Sequence, residues 1–438
     1  MATDRPNVLF VCIDALRSDF ALGEYGSEKP FFEFFEREGT VFDTTVAAAS
    51  STTPCVASYM TGTYPPDHGV LSLRDFTLDR ETETLAEVFD AAGYATRADV
   101  TGPITADTGL DTGFDSYDYR RRDETVYTDW FEEFKRDVAD SDEPWFQYLH
   151  LWEAHVHRDL PPDATDDEIE YDASVRGVAE KLEELLEILD LSETVVAVTG
   201  DHGESIHDGT LRHRASVVGF NQVPIPLTGK RTRHVRKDVY DRYLEPRGIE
   251  LEDYYNSLRR FSAVDFPNAF HRVGHSYHVY DFLTRVPFVL AGPGVPAGRR
   301  VGDQVRQVDV FPTLLSAAGL DASDDVSGQD LLDGPIEHRP AYLRGVGSEQ
   351  DRGRWLDGVR YDGWKFVKGR DRNLRQLFDL EADPEELHNV IDDHPDVVER
   401  LEGMVDEHVA REGRTDGDDI SAEAEERMTS RLEELGYL

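Results

Sequence analysis

The sequence predicts an α/β fold: a mostly parallel central sheet sandwiched by helices, followed by a small C-terminal α+β subdomain. Three observations predict it. Four continuous apolar runs, Asn7–Ile13, Trp145–Leu151, Thr194–Thr199 and Val286–Ala291, have the length of strands. Runs without polar alternation mark strands buried on both faces, as in a parallel sheet. Helical patterns alternate with these runs, the order expected of strand–helix units. From about residue 335 the character changes to short strand-like segments separated by turns.

Asn7–Ile13 is the first strand, and Asp14 follows it directly. Thr84-Leu-Ala-Glu87 is a capping box that opens a helix stopping at Gly93. Trp145–Leu151 is a strand followed by Glu153, His155 and His157. Val175, Val178, Ala179, Leu182, Leu185, Leu186 and Leu189 form one face of an amphipathic helix. That helix leads into the strand Thr194–Thr199, after which come Asp201 and His202. Residues 204–274, rich in Arg, Tyr and His, read as a long insertion and a candidate cap. Arg354–Tyr361, Trp364–Val367 and Gln376–Leu380 read as antiparallel strands. A helix is expected from Asp396 to His408, a polar linker over 412–420 and a last acidic helix over Ser421–Leu435. The expected division is a catalytic domain over 1–335 and a C-terminal subdomain over 336–438.

Charge narrows the function classes. The 438 residues carry a formal charge of −43, and only seven of the basic residues are lysine. Acidic excess with scarce lysine points to a protein adapted to high salt, where carboxylates hold water and salt screens their repulsion. Nucleic acid and anionic membranes are excluded as partners on this balance. Two cysteines, Cys12 and Cys55, rule out a disulfide framework. No apolar run approaches the ~20 residues of a membrane span, and the N-terminal run is too short for a signal segment, so the expected location is cytoplasmic.

In open α/β sheets, ligands sit beyond the carboxyl ends of the strands. Asp14, the Glu153–His157 stretch and Asp201-His202 are therefore expected at one edge. A carboxylate and an imidazole adjacent on a tight loop can both reach one cation, and Gly203 lets the backbone turn closely. The segment from Ser50 to Pro65 is a hydroxyl-rich turn, then a small-residue helix. A hydroxyl at a helix N-terminus sits where an anion is favoured, and a nearby cation makes it a nucleophile.

These residues and their order resemble the sulfatases of the alkaline-phosphatase superfamily, almost end to end. The matching segments are Arg5-Pro-Asn-Val-Leu with Asp14, Arg17 and Asp19; Thr52-Thr-Pro54 with Thr61-Gly62-Thr-Tyr-Pro65 and His68-Gly69; and Leu149-His-Leu-Trp-Glu-Ala-His155. Thr199-Gly-Asp201-His202-Gly203-Glu204, Gly274-His275, Asp309-Val-Phe-Pro312-Thr313 and Leu377-Phe-Asp379 match further on. The resemblance implies a divalent cation, Ca, Mg, Mn or Zn, held by Asp14, Asp201 and His202 with Thr52. It implies Thr52 as nucleophile, with His155 and His275 binding the anion or protonating the leaving oxygen. Arg17 is expected to pair either with a carboxylate or with substrate.

The chain departs from the family at the nucleophile. Sulfatases carry a Cys or Ser that is oxidised to formylglycine, within a Cys/Ser-x-Pro-x-Arg signature. Here Thr52 stands at that position and Val56 at the arginine, so no formylglycine is expected. Thr at this place resembles the phosphodiesterase, phosphoglycerol-transferase and phosphonate-hydrolase branches. Glu153-x-x-x-His157 is similar to a ligand pair of two-metal phosphodiesterases, and with His275 could make a second metal site. The expected substrate is an anionic sulfate or phosphate ester, carried by a glycan or lipid. The alternatives are a phosphodiesterase or transferase of the same superfamily, and a non-catalytic binding protein on the same scaffold.

Overall fold

The computed structural model describes residues 5–73, 76–141, 144–155, 159–165, 168–206, 275, 278–346, 355–370, 373–412 and 427. Its larger sheet is built from β1 (Asn7–Ile13), β2 (Gly39–Val46), β3 (Ala95–Val100), β4 (Ser116–Tyr119), β5 (Trp145–Leu151), β6 (Thr194–Gly200), β7 (Arg285–Ala291) and β8 (Arg299–Arg306). The strand order is β4-β3-β5-β1-β6-β7-β2-β8. Every neighbouring pair is parallel except β6–β7 and β7–β2, so β7 alone among these strands runs against the rest. The mostly parallel sheet is as the sequence predicts.

All four apolar runs are strands, and β1 shows why they lack alternation. Val8, Phe10 and Cys12 pack into one core with Val56 and Met60 of the helix Thr52–Thr61, Phe89 and Leu314. Leu9, Val11 and Ile13 face the other core with Phe31, Phe35, Val175, Val178 and Leu182. Helices thus cover both faces, and every position of β1 from Val8 to Ile13 is apolar because both faces are buried. Four strands escape the sequence pattern for the opposite reason. β2, β3, β4 and β8 carry polar or half-exposed positions, as in the alternating burial of β3.

The expected capping box forms. Thr84 Oγ1 accepts from Glu87 N–H at 3.2 Å, and Thr84 N–H donates to Glu87 Oε2 at 2.9 Å. The helix covers Leu85–Ala91, and Gly93 turns the chain out of it with φ +86°. The amphipathic helix spans Glu170–Leu186.

The second sheet is antiparallel, in the order β12-β11-β10-β9: β9 (Ala341–Gly345), β10 (Leu356–Tyr361), β11 (Trp364–Gly369) and β12 (Arg375–Asp379). β9 is an addition to the three strands read from the sequence. One face packs on the helix Pro395–Val409 through Val398, Leu401 and Val405. The other packs on Val46 and Val279 beside the larger sheet. The expected helix over Ser421–Leu435, apart from Arg427, and the 207–274 part of the insertion lie outside the described residues. Among the described residues no helix is long and apolar enough to cross a membrane.

Candidate active site

β5, β1 and β6 are adjacent and parallel, and their registers align Ile13 with both Leu151 and Gly200. Asp14, Trp152 and Asp201 therefore leave the sheet level with one another at the carboxyl edge. β2 points the same way and delivers Thr52 six residues past its end. β7 points the opposite way, so the chain entering it passes this edge, and His275 lies ten residues before its first residue. Five chain segments thus meet at one place.

Asp14, Asp201, His202 and Thr52 are all fully buried. Asp201 Oδ1 accepts from Ala15 N–H at 2.9 Å and His202 N–H at 2.8 Å. The turn after Asp14 puts Ala15 in the left-handed region, φ +61°, a strained conformation for a residue with a Cβ. Tyr171 holds that turn: its hydroxyl donates to the Ala15 carbonyl at 2.7 Å and accepts from Arg17 N–H at 2.8 Å.

His202 Nδ1–H donates to the carbonyl of Gly203 at 2.9 Å. A carbonyl only accepts, so the proton sits on Nδ1 and the neutral ring presents a lone pair at Nε2. Burial pushes the imidazole down to about 4, which keeps it neutral. Nε2 lies 3.2 Å from Thr52 Oγ1, 3.4 Å from Asp201 Oδ2 and 3.6 Å from Asp14 Oδ1. Asp201 Oδ2 is buried and has no hydrogen-bond partner among the described residues. The imidazole lone pair and two carboxylate oxygens converge here, and burial pushes the Asp201 carboxyl up, a cost that a bound cation would relieve. Asp14, Asp201 and His202 place one ligand atom each within 4.8 Å of one another. The donor set, two carboxylates, a neutral imidazole and a hydroxyl, fits a divalent cation.

A second cluster adjoins the first. His275 Nδ1–H donates to the carbonyl of Ser50 at 3.1 Å, which leaves Nε2 facing His155 Nε2 at 2.9 Å. The rings of His275 and His202 stack with centroids 3.9 Å apart. Burial, then His202, lowers His275 to about 3. Glu204, fully buried, completes a group of His155, Glu204 and His275 whose ligand atoms also fall within 4.8 Å of one another.

This geometry corrects the expected second metal set of Glu153, His157 and His275. Glu153 turns the other way, into a buried two-point ion pair with Arg120 at 2.6 and 3.1 Å, and it also accepts from Val126 N–H at 2.9 Å. Glu204 takes its place beside the histidines. His157 lies outside the described residues. Arg17 takes the carboxylate option: its guanidinium pairs with Asp19 and donates from Nη1 to the Glu204 carbonyl at 3.3 Å, fully buried. Thr52 and His275 both lie against His202, and His155 lies against His275.

A match to the sulfatase family model covers residues 6–320, most of the chain. The chain belongs to the sulfatase family. A second model, for the C-terminal part of N-sulphoglucosamine sulphohydrolase, matches residues 271–411 of this sulfatase-family chain. Arylsulfatase K of Homo sapiens is 32% identical over 146 residues, 30% of this chain and 27% of that protein. An arylsulfatase of Chlamydomonas reinhardtii is 27% identical over 233 residues, 41% and 36% of the two chains. The chain thus matches about a quarter of the first relative's length and little more than a third of the second's. The fold is shared with a 2-O GAG sulfatase, TM-score 0.67 at 17% identity over 93% of this chain and 92% of that one. It is shared with the phosphonate monoester hydrolase of Agrobacterium radiobacter, TM-score 0.66 at 17% identity over 93% and 95%.

Two features of this sulfatase site carried no assigned role in the sequence reading. Glu204 was visible as the fourth residue of Asp201-His-Gly-Glu204, yet its direction was not. Gln307 had no local signal at all, because its partners lie more than a hundred residues away.

The histidine and serine next door do something else. His68 Nδ1 accepts from Val70 N–H at 3.1 Å, so Nε2 carries the proton and donates to Ser58 Oγ at 3.0 Å. Ser58 is therefore not activated as a nucleophile. Cys12 and Cys55 are both buried, and burial pushes both thiols up, consistent with small core residues.

Proposed function

We propose that this chain is a metal-dependent hydrolase that cleaves a sulfate ester, or the related phosphate ester, with Thr52 as nucleophile. The observation that carries the reading is the Thr52 hydroxyl, 3.2 Å from His202 Nε2 and at the start of a helix, inside the Asp14–Asp201–His202 cluster. A divalent cation bound there supplies positive charge that lowers the pKa of the Thr52 hydroxyl and offsets charge on the ester oxygens. Thr52 Oγ1 attacks sulfur or phosphorus, the ester oxygen leaves, and water then hydrolyses the Thr52 ester. His155 and His275 contact the anion, and His155, whose Nε2–H faces the His275 Nε2 lone pair, is the one of the two that can pass a proton to the leaving oxygen. Arg17 keeps the turn after Asp14 in place through Asp19 and the Glu204 carbonyl. Thr at the nucleophile position needs no conversion to formylglycine.

The sulfated-sugar names among the relatives support a sulfated glycan as substrate, and the phosphonate hydrolase fold neighbour supports attack at phosphorus. A second reading, a two-cation phosphodiesterase or transferase, draws on the His155–Glu204–His275 cluster beside the first. We assign residues 1–335 to catalysis and 336–438 to the C-terminal subdomain. The charge of −43 with seven lysines supports a salt-rich cytoplasm as its setting.

The test compares wild type and Thr52→Ala at high salt on an aryl sulfate and a bis-aryl phosphate, with Ca, Mg, Mn and Zn each supplied. Thr52→Ala is expected to lose about 10³-fold or more of the metal-dependent rate. Undiminished turnover sinks the nucleophile assignment. The faster of the two substrates separates attack at sulfur from attack at phosphorus.

A further inference from the structure

We propose that Gln307 is a positioning residue that sets the gap between the cation ligand Asp201 and the nucleophile Thr52. The inference rests on the reading of those two residues given above.

Gln307 is fully buried in the short 3₁₀ turn Gln307–Asp309 that follows β8. Its Nε2 amide donates to the carbonyl of Asp201 at 2.8 Å and to that of Gly200 at 3.2 Å. Its Oε1 accepts from Ala48 N–H at 3.0 Å. Only one orientation of the amide satisfies these partners, because two of them are acceptors and the third is a donor. Both amide hydrogens are used on the loop that carries Asp201. The oxygen is used on the segment that leads to Thr52.

That segment is short and committed at several points. Ala48 O accepts from Arg344 N–H at 2.9 Å, and Ser50 N–H donates to Arg344 O at 3.0 Å. The Ser50 carbonyl receives His275 Nδ1–H, and Thr52 follows two residues later. Arg344 fixes the segment to β9, away from the Asp201 loop. Gln307 is a single side chain that touches both the segment and the loop. A hydrophobic residue of equal length fills the same space and leaves the two edges of the site without this shared anchor. Displacements of about 1 Å in such a constellation cost on the order of 10²-fold in rate.

The test uses the full chain with Gln307→Met, which keeps the volume and removes every hydrogen bond. Gln147→Met is the control, since Gln147 is a buried glutamine in β5 that bonds Asp99 and the Tyr148 carbonyl and has no part in the site. Folding is checked by circular dichroism, the cation Kd by calorimetry with Mn, and kcat and KM on the better of the two aryl esters. Gln307→Met is expected to lower kcat about 10- to 100-fold with KM within about threefold. It is expected to weaken Mn binding about tenfold, as loss of an outer support for a ligand does. The control leaves kcat and Kd near wild type. A folded Gln307→Met protein that matches the control in kcat and Kd overturns the proposal. If Gln307→Met does not fold, Gln307→Asn is used, which keeps an amide but is one methylene too short to reach both Ala48 and the Asp201 loop. It should fall between wild type and the expected Met values, and wild-type values overturn the proposal. Should Thr52→Ala prove active, the calorimetric arm still reads the action of Gln307 on the Asp201 loop, so the two failures are distinguishable.

Discussion

Thr52 and His202 lie 150 residues apart in the chain, yet the threonine hydroxyl sits 3.2 Å from the imidazole Nε2. Two different constraints bring them there. Thr52 is placed by the start of a fully buried helix, and that helix ends at Gly62, in the left-handed conformation at φ +68°. His202 is placed by the end of β6 and is turned by the carbonyl of its own neighbour Gly203. The proton on Nδ1 is what frees Nε2 for the site.

That dependence on Gly203 gives a first prediction. A Cβ at this position would stand 2.2 Å from the Phe282 carbonyl oxygen and 2.9 Å from its carbon, both backbone atoms that cannot swing aside. The Gly203 N–H also donates to the Leu283 carbonyl at 2.8 Å. Gly203→Ala should therefore push the His202 loop away from the start of β7. Expected losses are about 1–3 kcal/mol of stability in urea unfolding and about tenfold or more in cation affinity. Wild-type cation affinity in a folded Gly203→Ala protein would contradict the role given to this close approach.

The two glutamates near the histidines should separate cleanly. Glu153 is half of a buried ion pair whose guanidinium also lies 4.4 Å from the Trp130 ring. Glu153→Gln should cost about 3–5 kcal/mol, because it leaves the Arg120 charge buried without its counter-ion. Cation stoichiometry should be unchanged. Glu204→Gln should instead remove any second equivalent of Zn or Mn measured by equilibrium dialysis. A second equivalent lost in Glu153→Gln and kept in Glu204→Gln would reverse these assignments. One equivalent in the wild type would end the two-cation reading.

Acid stability should report the C-terminal ion network. Glu412 accepts from Arg344 at 2.8 Å and from Arg370 at 2.9 Å. Burial pushes its carboxyl up, but Arg370 and Arg344 outweigh burial and hold it at about 2, below its ordinary 4.5. A depressed folded-state value stabilises the protein above the unfolded pKa, and the gain is lost as pH falls through the folded one. Wild type should therefore lose this contribution between about pH 4.5 and pH 2. Glu412→Gln should be less stable at pH 7 by about 1–3 kcal/mol, with a flatter fall across that window. Thermal melts at several pH values give the comparison, and parallel curves for the two proteins would count against it.

The parts of the fold that were legible share one property: their signal is local. β1, β5, β6 and β7 are buried along nearly their whole length and so read as largely apolar runs, and Thr84 and Glu87 sit three residues apart in one capping box. β3 and β8 are interrupted by polar positions and were not legible, because a strand buried on one face gives a weaker pattern than the runs beside it.

For the site, residue identity and position after a strand singled out Asp14, Asp201, His202 and the Glu153–His157 stretch, while the roles of Thr52, His155 and His275 are what the resemblance to the sulfatases implies. Those choices depend on strand order only through the rule that parallel strands share a carboxyl edge. What the three-dimensional arrangement decided was direction. Glu153 and Glu204 are both acidic residues just past a central strand, and nothing in either neighbourhood of sequence says which faces the histidines. Arg120 draws Glu153 away, and Gln307 spans from Asp201 to Ala48. Chain position can therefore bring a carboxylate to an edge, but where it points depends on charges and hydrogen-bond partners that only folding brings near.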